Sequence, residues 1–129
     1  AQWYALKISK MKVLIIDDDS RNIFALTAVL KAKKYTCLSA SSALKGFEVL
    51  ANDNDIGIVL MDMMMPDMDG YQAINQMRNH PKMQNIPVIA VTAQAMVGDR
   101  ERCINAGAVG YISKPVNVDE LVQQLKIHL

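Results

Sequence analysis

The sequence predicts an α/β fold in which a doubly wound, five-stranded parallel sheet is covered by helices on both faces. Three observations predict it. Five short apolar runs recur along the 129 residues, and a stretch with helical spacing of apolar residues follows each run. The runs are continuously apolar rather than alternating, which is typical of strands buried on both faces. Strands that alternate with helices in this way form right-handed crossovers, and hence a parallel sheet.

The elements can be placed in order along the chain. The predicted strands cover residues 13–16, 35–40, 56–61, 88–91 and 110–112. Ile23, Leu26 and Leu30 repeat at helical spacing after the first strand, and Ser20 is placed to cap that helix. Further helical patterns cover residues 43–50, 71–78, 96–106 and 118–129. Asn117 is placed to cap the last helix, and Gly107 to end the fourth.

Composition limits the classes of function. The chain has 14 Lys and Arg against 13 Asp and Glu, and this near-neutral balance argues against nucleic-acid binding by the domain. No apolar run approaches the roughly 18 residues that span a membrane, so we expect no membrane contact. The length favours one domain, which we expect at residues 12–129, with residues 1–11 as a leader, linker or tag remnant.

The cysteines indicate a compartment rather than a function. Cys37 and Cys103 have no metal-ligand spacing, and no secretory signal opens the chain. A reducing, cytoplasmic location is therefore expected.

Polar side chains follow the predicted strands, at the edge where ligands bind in such sheets. They are Asp17, Asp18 and Asp19 after the first run, Asp62 after the third, Thr92 after the fourth, and Ser113, Lys114 and Pro115 after the fifth. Clustered carboxylates repel one another unless a cation joins them, and Mg²⁺ prefers carboxylate, water and phosphate oxygens. The sequence therefore predicts a magnesium site at this edge.

The same edge carries groups suited to phosphoryl transfer. Lys114 offers a compact positive charge and Thr92 a hydroxyl, both of which can hold phosphoryl oxygens. An aspartate can itself act as the nucleophile and form an aspartyl phosphate. Asp62 is the best candidate, because it stands alone after a strand predicted to be central, next to the acidic group that ends the first.

Four segments together resemble the receiver domain of two-component response regulators. They are VLIIDDDS at 13–20, VLMDMMMPDMDG at 59–70, VTA at 91–93 and YISKP at 111–115. They occur in the family's order and spacing, and the resemblance extends from about residue 12 to residue 129. It implies a flavodoxin-like fold with strand order 2-1-3-4-5.

The resemblance also implies a function and a set of site residues. Asp62 would accept a phosphoryl group from a phosphohistidine on a histidine kinase or a histidine phosphotransfer protein. Such a domain is a phosphorylated signalling switch and not an enzyme. The implied residues are Asp17, Asp18, Asp62 and the backbone carbonyl of Met64 for Mg²⁺, Thr92 and Lys114 for the phosphoryl oxygens, Thr92 and Tyr111 for switching, and a cis Lys114–Pro115 bond.

A narrower resemblance concerns the subtype. The segments RNIFAL at 21–26, TAQAM at 92–96 and GDRE at 98–101 resemble receiver modules of hybrid sensor histidine kinases. The sequence is compatible with both a stand-alone receiver and a module excised from a hybrid kinase. Met64 and Gln94, at the positions that tune phosphoryl lifetime in this family, supply no acid or base for water attack, so rapid autodephosphorylation is not expected.

Simpler or competing interpretations apply to several of these residues. Asp19, Asp67 and Asp69 can serve the local backbone, and Met61, Met63, Met64 and Met65 can pack around the acidic site. The alternative function is a phosphohydrolase of the haloacid dehalogenase type that uses Asp17 in an Asp-x-Asp arrangement with Asp19. Ser20 and Arg21 stand where that group usually has Gly and Thr.

Overall fold

A computed structural model describes residues 11–93 and 96–129 of the chain. It contains one five-stranded sheet of parallel strands in the order β2-β1-β3-β4-β5, which is the predicted order. The strands are β1 (Lys12–Ile16), β2 (Thr36–Ala40), β3 (Ile56–Asp62), β4 (Val88–Thr92) and β5 (Gly110–Ser113). The helices are α1 (Ser20–Ala32), α2 (Ala43–Asn52), α3 (Gly70–Arg78), α4 (Asp99–Ala106) and α5 (Val118–His128).

The sheet has a buried core on each face. Side chains alternate across a strand, so Val13 and Ile15 of β1 face one way while Leu14 and Ile16 face the other. The first pair belongs to a buried cluster with residues of α1 and α5, and the second to a cluster with residues of α2, α3 and α4. All four side chains are at most 1% exposed, which explains why the run is apolar throughout.

The structure corrects three predicted element ends. Asp19, not Ser20, is the N-cap of α1: its carboxylate accepts from the backbone N–H of Arg21, and Ser20 is already helical. Helix α4 begins at Asp99 rather than at residue 96, because Gly98 directly before it has a left-handed backbone with φ of 91°. Tyr35 lies before β2 rather than within it.

Two predicted helix ends are confirmed. The Asn117 side chain accepts from the backbone N–H of Glu120 and caps α5. Gly107 ends α4 with φ of 116°, a conformation that glycine adopts at low cost. The predicted leader at residues 1–11 lies outside the described residues except for Met11, which is exposed and directly precedes β1.

Among the described residues, no helix is both long enough and apolar enough to cross a bilayer.

Candidate functional site

The carboxyl ends of the strands meet at one edge of the sheet. Backbone hydrogen bonds to the neighbouring strand continue into the residues that follow. The backbone N–H of Asp17 donates to Ala40 O at 3.1 Å, and that of Lys114 donates to Thr92 O at 2.7 Å. Within the sheet, Asp62 is in register with Val91. The polar residues that follow the strands are therefore held by the backbone of the neighbouring strand.

Three carboxylates come together at this edge. Oxygen atoms of Asp17, Asp18 and Asp62 all lie within 4.8 Å of one another. Asp17 is 2% exposed and Asp62 is 5% exposed, whereas Asp18 is open to solvent. Burying two carboxylates side by side is costly without a compensating cation, so their arrangement points to a cation-binding role.

Lys114 supplies one positive charge to the site. Its Nζ lies 3.1 Å from Asp17 Oδ2 and 3.7 Å from Asp62 Oδ2, so one ammonium bridges two carboxylates from different strands. The Lys114–Pro115 peptide bond, for which the resemblance implies a cis geometry, is cis in the structure.

Asp62 is the carboxylate with the most perturbed acidity. Its pKa is raised to about 6, and burial is the largest cause. A hydrogen bond from the backbone N–H of Met64 lowers the pKa, the neighbouring charge of Asp17 raises it, and the charge of Lys114 lowers it. A pKa near 6 leaves most of the carboxylate ionised at neutral pH, and therefore able to act as a nucleophile.

Asp17 is held by three donors. Its Oδ1 accepts from the backbone N–H of Asp19 at 2.8 Å, and its Oδ2 accepts from both Lys114 Nζ and Asn22 Nδ2. The sequence did not identify Asn22 as a site residue. Its position in the first turn of the helix that follows the acidic run was the available signal, because side chains there lean back toward the strand end.

The two predicted switch residues lie on β4, which pairs with the Asp62 strand β3, and on β5, the next strand of the sheet. Thr92 ends β4, is 4% exposed and is in register with Ser113 of β5. Tyr111 is half-buried on β5, packs against the core, and its backbone carbonyl accepts from Gln124 Nε2 at 3.2 Å.

The segment between β3 and α3 shows the local backbone roles expected of its acids. Asp67 has a positive φ of 65°, which an aspartate tolerates in a turn. Asp69 caps α3, because its side-chain carboxylate accepts a hydrogen bond from the backbone N–H of Gln72. The side-chain oxygen of Gln72 accepts a second hydrogen bond from the backbone N–H of Asp69. Asp67 and Asp69 lie outside the cluster of three carboxylates.

The methionines around Asp62 divide into two groups. Met61 and Met63 are fully buried and Met65 is 7% exposed, which confirms packing as their role. Met64 is 50% exposed beside the phosphoacceptor candidate. Gln94, paired with Met64 in the prediction on phosphoryl lifetime, lies outside the described residues.

The donor set fits Mg²⁺. All three candidate side-chain ligands are carboxylates, which a hard cation prefers, and Asp18 faces solvent, from which Mg²⁺ keeps several waters. Three carboxylates and one lysine ammonium lie together at this edge, so these four side chains carry an excess of negative charge.

Comparison with known proteins identifies the family. A model of the response regulator receiver domain matches residues 13–126. This chain belongs to that family. The polar-differentiation response regulator DivK of Brucella ovis is 32% identical over 117 residues, which are 91% of this chain and 94% of DivK.

Two further relatives show where receiver domains occur. A probable cyclic di-GMP phosphodiesterase of Vibrio cholerae is 36% identical over 122 residues, or 95% of this chain, yet the chain spans 27% of that protein. The receiver domain of the sensor histidine kinase PA1611 from Pseudomonas aeruginosa PAO1 superposes with a TM-score of 0.78 at 28% identity, covering 92% of this chain and 96% of that one. That structure has a magnesium ion coordinated in its active site cleft.

Family membership confirms the coarse functional prediction. Receiver domains are phosphoacceptor switches of two-component systems that work with histidine kinases or phosphotransfer proteins, and they bind Mg²⁺ at an acidic site. They are in general not enzymes, and the phosphodiesterase name belongs to a relative of which this chain matches a minor part. The haloacid dehalogenase alternative receives no support from these comparisons.

Proposed function

We propose that this receiver domain accepts a phosphoryl group on Asp62 from a phosphohistidine of a histidine kinase or a histidine phosphotransfer protein. The observation that carries the proposal is the position of Asp62. It ends a central strand, is almost fully buried, and has Asp17, Asp18 and the Lys114 ammonium around it.

The transfer is a displacement at phosphorus. A carboxylate oxygen of Asp62 forms a bond to phosphorus while the bond from phosphorus to the imidazole nitrogen breaks, and the electron pair of that bond returns to the nitrogen. Mg²⁺, when bound, neutralises charge that develops on the phosphoryl oxygens. Asp17, Asp18, Asp62 and the Met64 backbone carbonyl are its proposed ligands. Lys114 and the Thr92 hydroxyl would contact the remaining oxygens.

The proposed output is a change of surface. The phosphoryl group carries about −1.5 to −2 charges at neutral pH in place of the single charge of the Asp62 carboxylate, and it favours a state in which Thr92 and Lys114 meet it. Tyr111 is in register with Ala90 of β4, two residues before Thr92, and is proposed to follow Thr92 inward. The surface formed by α4, β5 and α5 would then differ between the two states.

The proposal extends to the setting of the domain. Residues 12–129 are proposed to form the receiver, with residues 1–11 as a leader, linker or tag remnant. Cys37 and Cys103 are both free thiols, which suits a reducing cytoplasm. DivK is matched along most of its length and PA1611 is a sensor kinase, so a stand-alone regulator and a hybrid-kinase module both have relatives.

Phosphorylation by a small donor tests the assignment of Asp62. The wild-type chain with Mg²⁺ and acetyl phosphate should gain one phosphoryl group by intact-mass measurement, and Asp62→Asn should gain none. The amide keeps the shape of the side chain but is a far weaker nucleophile.

Asp67→Asn is the matched control. It makes the same acid-to-amide change outside the carboxylate cluster, at a positive φ that asparagine also tolerates. It should be phosphorylated like the wild type. Stoichiometric phosphorylation of a folded Asp62→Asn variant would overturn the proposal.

A further inference from the structure

Asn22 is placed to act on the site without belonging to the carboxylate cluster. It is the third residue of α1, and its half-buried side chain leans toward the helix N-terminus, where Asp17 lies. The side-chain amide donates from Nδ2 to Asp17 Oδ2. The orientation of the amide follows from chemistry, because a carboxylate oxygen can only accept.

The hydrogen bonds of Asp17 show why this donor matters. An ionised carboxylate offers about four acceptor positions, and three of those on Asp17 are taken by Asp19 N, Asn22 Nδ2 and Lys114 Nζ. Asn22 and Lys114 donate to the same oxygen, Oδ2. A cation that binds Asp17 therefore meets a carboxylate whose orientation is already set by neighbours.

Of the two donors to Oδ2, one is neutral and the other charged. Lys114 Nζ is 3.1 Å from Asp17 and 3.7 Å from Asp62, so a phosphoryl group on Asp62 would place new negative charge close to the ammonium. The phosphoryl group carries about −1.5 to −2 charges in place of the single charge of the Asp62 carboxylate, and it competes with Asp17 for Lys114. The side chain of Asn22 is short, is anchored in α1 and has no net charge. The phosphoryl group therefore does not draw it away from Asp17 as it draws Lys114.

We infer that Asn22 is a positioning residue that keeps Asp17 oriented toward the cation when Lys114 turns to the phosphoryl group. The inference rests on the proposed function. It assigns to Asn22 a role that is small in the unphosphorylated domain, where Lys114 also holds Asp17, and large in the phosphorylated state, where Asn22 and the Asp19 N–H remain.

The test compares Mg²⁺ binding in two states of the full chain. Isothermal titration calorimetry gives the Mg²⁺ dissociation constant of the unphosphorylated protein. The Mg²⁺ concentration for half-maximal formation of the beryllofluoride adduct, followed by ¹⁹F NMR, reports the phosphoryl-like state. The variants are Asn22→Ala and, as a matched control, Asn75→Ala, which removes an exposed asparagine from α3.

The expected result is a difference between the states. Without beryllofluoride, Asn22→Ala should raise the Mg²⁺ dissociation constant less than about threefold. With beryllofluoride, the same variant should raise the half-maximal Mg²⁺ concentration about tenfold or more, as expected for loss of one hydrogen bond to a charged group. Asn75→Ala should change neither value. If Asn22→Ala does not fold, Asn22→Leu, which is similar in shape but has no donor, should give the same result.

Three outcomes would count against the inference. Wild-type values in both states, or an equal rise in both, would overturn a role that depends on Lys114. Failure of the wild type itself to form a Mg²⁺-dependent adduct would instead overturn the proposed function, and this inference with it.

Discussion

At the scale of single residues, the site depends on carboxylates held in an environment that disfavours their charge. Asp62 is nearly buried and faces Asp17, and its pKa rises to about 6 in consequence. Lys114 compensates one of these charges but not both. The domain therefore gives up stability to keep two carboxylates at the site proposed to bind a cation and a phosphoryl group.

The raised pKa of Asp62 predicts how stability depends on pH. Because the pKa is about 6 in the folded state against 3.8 ordinarily, the folded protein binds more protons between these values. This group therefore lowers stability progressively as pH rises from about 4 to 6, and fully above it. Without Mg²⁺, Asp62→Asn should stabilise the protein by about 3 kcal/mol at pH 7.5, and by far less at pH 3.5.

Urea unfolding at the two pH values measures this difference. Added Mg²⁺ should narrow the gap at pH 7.5, since a cation bound to the wild type favours the folded state. An equal effect of Asp62→Asn at both pH values would contradict the raised pKa.

The sequence predicted which residues would share the edge, but not how each is held. Asp17, Asp18, Asp62 and Lys114 follow apolar runs, and parallel strands bring such positions together. The contribution of Asn22 depends on the direction of one side chain in the first turn of α1, which spacing alone does not specify.

At the scale of elements, the start of α3 is set by close contact with the end of β3. The backbone N–H of Gly70 donates to Met63 O at 3.3 Å. A Cβ at Gly70 would lie 2.7 Å from Met63 Cα and 3.0 Å from Asp62 O, both backbone atoms. Only glycine fits this contact without a shift of the backbone of Asp62, the proposed phosphoacceptor.

Gly70→Ala is therefore expected to destabilise the fold by about 1 to 3 kcal/mol, the usual range for overpacking, and to slow phosphorylation of Asp62. Urea unfolding and the rate of acetyl phosphate labelling measure the two effects.

Gly46→Ala provides the comparison. Its Cβ would contact side-chain atoms of Ile16 and no backbone within 3.4 Å, so it should affect stability but leave the labelling rate of the folded protein near that of the wild type. A labelling rate for Gly70→Ala equal to that of Gly46→Ala would argue against this role of Gly70.

The presence of each strand and helix could be predicted from the sequence. The residues at which these elements begin and end were less predictable. Apolar runs and helical spacing located all five strands and five helices among the described residues. The N-cap of α1 was assigned to Ser20 although Asp19 caps it, because adjacent Asp and Ser are both good caps and the backbone conformation decides between them.

At the scale of the whole molecule, one edge of the sheet carries the chemistry while contacts elsewhere fix the helices. Arg78 is an example that the sequence did not reveal. Its guanidinium donates to the backbone carbonyls of Gln84, Ile86 and Gly107, and so ties the end of α3 to the segment before β4 and to the end of α4. Every residue has a backbone carbonyl, so a sequence pattern does not show which carbonyls a side chain will contact. Such contacts therefore could not be predicted from the sequence.

The net charge of +1 conceals this organisation. Asp17, Asp18 and Asp62 concentrate negative charge at the carboxyl edge, with Lys114 among them. What the domain does follows from where its charges lie, and the total says little about it.

The most direct test is to locate the acyl phosphate. The wild-type chain is treated with acetyl phosphate and Mg²⁺, the aspartyl phosphate is reduced with borohydride, and the modified residue is identified by peptide mass spectrometry. The account predicts modification at Asp62 and not at Asp17. Modification at Asp17, with Asp62 unmodified, would contradict it.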